Sequence, residues 1–182
     1  MTEKQEERPM MIVEGLKRLG VIQKRMESNI RSINQYASIV SNERPLFGDE
    51  KSQKKEVQAL IQSNIDLHKE ALKLKNRIER TNLQTIVEIQ GVEYTISDLL
   101  FLDRSMKNLI TGTYEALNIN YAQTRLGQMG MRGAHVAAGE TLRVEHMYDE
   151  KEKNKQLRVW NDLFDNISAR LEVINATTPL LD

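Results

Sequence analysis

Arginine and histidine gather in two places in this chain, and both lie where a helical pattern breaks down. Arg77, Arg80, Thr81 and Asn82 close one helical run. Arg125, Arg132, His135, Arg143, His146 and Tyr148 lie in or beside a glycine-rich stretch, GQMGMRGAHVAAGETLRVEHMYDE. Guanidinium groups grip phosphate through paired hydrogen bonds, and exposed glycine N–H groups complement oxyanions. Tyr94, Tyr121 or Tyr148 could stack a base. The two regions are therefore read as walls of a site for a small anionic, nucleotide-like ligand. The competing account pairs the arginines with Glu79, Asp98, Asp103 and Glu145 and leaves the glycine-rich stretch as a solvated loop or subunit contact.

Other chemistry finds less to work with. There is no Gly-Lys-Ser/Thr phosphate loop and no dinucleotide fingerprint. His135, His146, Glu140, Glu145 and His68 match no helical zinc spacing, so no metal is expected. No serine elbow or paired acid–base constellation appears, which makes a non-enzymatic protein without cofactors the expectation. The lysine runs at Lys51, Lys54 and Lys55 and at Lys151, Lys153 and Lys155 are flanked or interleaved with acids, and they read as solvated helix starts rather than a nucleic-acid surface.

The elements that must position these residues are mainly helical. From Pro9, acceptable in a first turn, Ile12, Leu16, Leu19, Met26, Ile30, Ile33, Ala37 and Val40 recur at three-four spacing. Gly15 and Gly20 weaken that helix unless they permit close packing. Ser41 to Ser52 carries Pro and Gly and forms the connection. A second helix from about Gln53 to Arg80 places Val57, Leu60, Asn64, Leu67, Ala71, Leu74 and Ile78 in a seam, with Ile61, Ile65 and Leu72 broadening it. Asn64 is taken as a solvated edge position, the alternative being a polar residue that fixes register.

Residues 85–96 change period. Val87 and Ile89 alternate with Ile86, Glu88 and Gln90, and Gly91 can supply the positive φ of a tight turn, so a β-hairpin is predicted. Ser97 would cap a third helix with Asp98 in its first turn, its buried face marked by Leu99, Leu102, Met106 and Leu109, with Ile110, Thr113, Ala116 and Leu117 carrying the stripe onward to about Leu126. The segment 127–148 reads as irregular, with a further short strand possible at 142–148. A fourth helix carries Leu157, Trp160, Phe164, Ile167, Leu171 and Ile174 before Pro179.

Twenty-six basic and 26 acidic residues cancel, so no whole-chain field draws the protein to nucleic acid or an anionic membrane. The absence of cysteine removes disulfides and thiolate chemistry, and fits a reducing, cytoplasmic setting. No apolar run approaches a bilayer span, and the polar start MTEKQEERP lacks a signal-peptide core. The expected fold is all-α in the main: one domain over residues 1–182 with a polar tail at 1–8, a four-helix antiparallel bundle with long coiled-coil-like helices, and a small hairpin between helices two and three.

The RTNLQT junction at Arg80–Thr85, the run from Thr95 to Leu100 with Asp103-Arg104 beyond it, the early IQKRMESNI segment and the ending LEVINATTPLL resemble the septicolysin-like family of small bacterial proteins. The resemblance implies a mostly helical, oligomeric protein with a small hairpin and without an established enzymatic role. The polar N-terminal extension and the glycines from Gly127 to Gly139 depart from that family's pattern. The expected function is an oligomeric binding protein sequestering a small anionic, nucleotide-like ligand; in a phage it would act as a sponge for a host immune signal. Its alternatives are a structural or interaction scaffold and, third, an enzyme acting on a phosphorylated small molecule. The expected partners are copies of itself and the ligand, with no nucleic acid and no membrane.

Overall fold

The computed structural model describes residues 8–131 and 142–181. The chain is mostly helical with one two-stranded antiparallel hairpin, and it divides into two compact units: Met1–Ser97 with Leu171–Asp182, and Asp98–Arg170.

The first unit is organised by helices α1 (Ile12–Tyr36) and α2 (Glu50–Gln84). They run antiparallel, because bonds between them pair rising numbers with falling ones. Arg18 donates to Glu70 at 2.7 Å, Asn29 to Asn64 at 2.9 Å, and Gln53 to the Tyr36 carbonyl at 2.8 Å. Asn64 is thus no solvated edge residue. Its amide spans the helix seam, accepting from Asn29 and reaching the Met26 carbonyl at 3.4 Å. Such a cross-seam bond is favourable only in one register, which it thereby fixes.

The expected broad apolar stripe of α2 divides. Leu67, Leu74 and Ile78 are buried, whereas Ile61, Ile65 and Leu72 are 45%, 45% and 51% exposed. On α1, Leu16 and Ile30 are likewise exposed while Ile12 and Ile22 are buried. One helix covers only one face of its neighbour, so residues beyond that face stay in solvent. α1 also starts later than Pro9 and ends before Val40. At its start, the Met10 carbonyl accepts from Leu180 N at 2.7 Å and Ile12 N donates to Thr178 O at 3.0 Å, which holds Met10 and Met11 extended beside the C-terminal tail. At its end, the buried Gln53 amide ties Tyr36 to the connection, accepting from Leu46 N at 2.9 Å. Asp49 caps α2, accepting from Ser52 N at 2.8 Å.

The two glycines of α1 differ. A methyl group at Gly15 would lie 2.9 Å from Leu180 Cδ1 and 3.3 Å from Ile78 Cδ1, so that glycine admits a close approach; around Gly20 there is nothing within 4 Å.

Strands β1 (Ile86–Ile89) and β2 (Val92–Thr95) form the expected hairpin, with Val87 opposite Tyr94 and Ile89 opposite Val92. Gln90 and Gly91 have φ of 54° and 80°, the paired positive values of a type I′ turn matched to strand twist. Val87 and Ile89 are buried and their neighbours exposed, which is the predicted alternation.

The next helix begins at Ile96, so Ser97 lies inside the first turn rather than capping it; Ile96 N donates to Thr85 O at 3.1 Å, which starts the helix directly from the hairpin. Helix α3 (Ile96–Phe101) continues through a π-helical turn, Leu102–Met106, into α4 (Lys107–Glu115). A π turn inserts one residue and rotates everything after it by about 100°. The expected face therefore shifts. Leu109, Thr113 and Ala116 of the expected stripe are exposed, Leu109 by 63%, while Ile110 and Leu117 stay half-buried and Tyr114 joins them.

The helix stops well before Leu126. The Asn118 side chain donates to the Glu115 carbonyl at 3.0 Å and accepts from Asn120 N at 3.1 Å, closing α4 and opening α5 (Asn120–Met131). α5 includes Gly127 and Gly130, so irregularity does not begin at 127; Leu126, Gln128 and Met129 are strong enough helix formers to carry glycine at about 1 kcal/mol each. Residues 142–148 form no strand, and no other segment pairs with them among the described residues.

Helix α6 (Glu150–Thr177) runs antiparallel to α4 within the second unit. Ser168 donates to Asp103 at 2.7 Å, Trp160 Nε1 to the Tyr114 hydroxyl at 3.4 Å, and Lys153 to the Leu117 carbonyl at 2.5 Å. Phe164 and Ile167 are fully buried, and Leu171 and Ile174 continue the same stripe into the first unit.

Candidate functional site

The residues singled out by sequence fall into two groups, one in each unit. In the first, Arg77 and Thr81 hold the C-terminal tail. Arg77 Nε donates to the Leu181 carbonyl at 3.0 Å and Nη2 to the Leu180 carbonyl at 3.5 Å. Thr81 is fully buried; its hydroxyl donates to Arg77 O at 2.8 Å and accepts from Leu181 N at 3.0 Å. These are backbone contacts across about a hundred residues of sequence, and they seat Leu180 in the core against Gly15, Leu74 and Ile78. Arg80 is exposed, and the Asn82 Oδ1 atom is buried with no hydrogen-bond partner among the described residues.

In the second unit the structure brings Arg125 and Arg143 to one groove of about 340 Å³. Ala122, Arg125, Leu126 and Met129 line one side, and their i, i+3, i+4, i+7 spacing presents a single face of α5. Residues 142–147 supply the opposite side, with Leu142 and Met147 adding apolar surface. Arg125 lies over the Tyr121 ring at 5.9 Å, and no carboxylate pairs with it among the described residues. Arg143 is held by Glu145 at 3.2 Å, at the exposed rim. A cation–π contact does not use up the N–H donors of a guanidinium.

His146 and Tyr148 pack edge to face with centroids 5.1 Å apart, and Lys153 sits 5.6 Å over the Tyr148 ring. Neither residue lines the groove. Arg132 and His135 lie outside the described residues. Among the described residues no group of three or more His, Asp or Glu could hold a metal, and no helix is long and apolar enough to cross a membrane.

A larger recess, about 600 Å³, was not anticipated. It lies where 36–45 meets the start of α2 and is lined by Tyr36, Ile39, Glu43, Glu50, Gln53 and Lys54 among others. The Pro-containing connection was the sequence signal for a break in the helices, but a break does not foretell a recess. Its one cation among the described residues, Lys54, is paired with Glu50 at 3.2 Å, and Glu43 adds a second acid. That charge balance disfavours an anion, so the smaller groove carries the more specific chemistry.

Comparison of the chain with protein-family models, curated proteins and solved structures gives no match.

Proposed function

We propose that the chain is a non-enzymatic binding protein that holds a small anionic ligand in the groove between α5 and residues 142–147. One observation carries this reading: Arg125 and Arg143, eighteen positions apart in sequence, line the same groove beside apolar Leu126, Met129 and Met147. Two guanidinium groups beside an apolar floor suit a ligand with an anionic end and a flat or apolar body, which is the make-up of a nucleotide. Binding would exchange the Glu145 partner of Arg143 for the ligand's anion.

The proposal extends to a cytoplasmic homo-oligomer of the septicolysin-like family, its long helices meeting in coiled-coil fashion within a bundle. That extension rests on the sequence signatures and helix lengths. Sequestration, including that of a host signal by a phage, needs affinity and stoichiometry without turnover. The test begins with the purified protein: any small molecule released on denaturation is identified by mass spectrometry and offered again to the refolded protein. Unchanged release and rebinding supports sequestration, conversion supports an enzyme, and no binding across a nucleotide panel favours a scaffold. Arg125→Ala and Arg143→Ala should each weaken binding about tenfold, the scale of one charge-assisted contact, without altering the melting temperature.

A further inference from the structure

Helix α2 carries a second seam outside the face that buries Leu67, Leu74 and Ile78. Ile61, Ile65, His68 and Leu72 are all exposed and follow alternating four-three spacing. At 100° per residue they cluster roughly a third of a turn around the helix from Leu67, Leu74 and Ile78, which face the core. The same spacing runs outward in both directions, to Gln58 and Lys54 on one side and to Lys75 and Glu79 on the other, all exposed. The sequence of layers reads as basic, polar, apolar, apolar, polar, apolar, basic, acidic.

That order is complementary to its own reverse. When two copies of α2 lie antiparallel about a two-fold axis at the Asp66–Leu67 peptide, each layer meets a defined opposite. Ile61 faces Leu72 and Ile65 faces His68 in the middle. Gln58 faces Lys75, and at the ends Lys54 faces Glu79, placing opposite charges together twice. A parallel pairing would set Lys54 against Lys54 and Glu79 against Glu79. In an antiparallel coiled coil such end charges choose orientation while the apolar layers supply affinity. Both end residues are already solvent-exposed partners of neighbours on their own helix, Lys54 of Glu50 at 3.2 Å and Glu79 of Lys75 at 3.3 Å, so exchanging partners costs little.

We infer that this face of α2 is a self-association surface, and that the protein forms a two-fold antiparallel dimer through it. The inference rests on the self-association part of the proposed function and is independent of the anion groove. Light scattering on the eluting full chain at micromolar concentration, with sedimentation equilibrium for the dissociation constant, tests it. The wild type should be dimeric, and Ile65→Asp should be monomeric, with wild-type helical content and a melting temperature that no longer rises with protein concentration. Lys54→Glu and Glu79→Lys should each weaken the dimer about tenfold, and the double charge reversal should return it to within about threefold of wild type. His68→Leu should tighten it. A strictly monomeric wild type overturns both the surface and self-association. A dimer unmoved by Ile65→Asp, or a double reversal no better than the single changes, overturns the surface alone. Anion binding measured on Ile65→Asp separates this result from the ligand reading.

Discussion

In both units two helices run antiparallel and exchange polar bonds along their length: Asn29 with Asn64 and Arg18 with Glu70 in the first, Asp103 with Ser168 and Trp160 with Tyr114 in the second. The filling between them differs. The first unit buries Ile12, Ile22, Leu67, Leu74 and Ile78 along the seam, adds Val87 and Ile89 from the hairpin, and is closed by Leu180 from the tail. In the second, Leu99, Phe164 and Ile167 are the buried apolar residues among those described, and neither the π turn nor α4 contributes one. Local stability follows buried apolar contact, so the second unit should open first. It is also the unit that holds the arginine groove. The proposed ligand site would thus lie in the unit that opens more readily.

The sharpest way to break this contrast is Phe164→Ala, which should cost about 3–5 kcal/mol as a large core truncation. With so few other buried side chains to compensate, hydrogen exchange should show α4 and α5 losing protection while α1 and α2 keep theirs. Equal loss in both units would show that they unfold as one. Next in size is the tail clamp. Thr81→Val leaves the part-buried Leu181 N without its acceptor and should cost about 1–2 kcal/mol in urea denaturation.

The two glycines of α1 sharpen the comparison between a filled and an open side of one helix. Gly20→Ala should stabilise by about 0.5–1 kcal/mol, the difference in helix propensity at an uncrowded site. Gly15→Ala should gain nothing in thermal melting, because Leu180 must move to admit the methyl group. The smallest effect is expected at the start of α2. Hydrogen bonds from the Ser52 backbone N–H and hydroxyl hold the exposed Asp49 carboxyl below its ordinary range. A depressed carboxyl contributes its stabilisation in full above the pKa it has when unfolded, and loses it as pH falls through the lower folded value. Fraying of the first turn of α2 on acidification, read by exchange at Ser52, should therefore be delayed relative to uncapped turns and abolished as a pH dependence in Asp49→Ala.

What the sequence made legible was whatever periodicity alone decides. The α6 stripe from Phe164 to Ile174 and the alternation of Val87 and Ile89 before Gly91 each specify an element without reference to any other. What stayed hidden depended on a partner far along the chain or on one side chain. The contacts of Arg77 and Thr81 with the tail, about a hundred residues on, leave no trace in the local pattern around either residue. The break at Leu117–Ile119 is made by the Asn118 amide, and the turn of the α4 face by a single inserted residue in the π segment. Ile61, Ile65 and Leu72 were legible as apolar and helical, but a helix with two apolar seams does not say which one meets α1. Of the groove, the sequence places Arg125 and Arg143 in or beside the glycine-rich stretch; that Met129 extends the helical face of Arg125 is not legible, because Gly127 and Gly130 read as loop.

The measurement that tests the account most directly is equilibrium titration of the full chain with a panel of nucleotides, run in parallel on wild type and on the Arg125→Ala, Arg143→Ala double variant. The account predicts saturable binding of at least one member by wild type, loss of at least about a hundredfold in the double variant if two charge-assisted contacts act together, and an unchanged melting temperature. Binding retained at full affinity in the double variant, or no binding by wild type to any member, would contradict it.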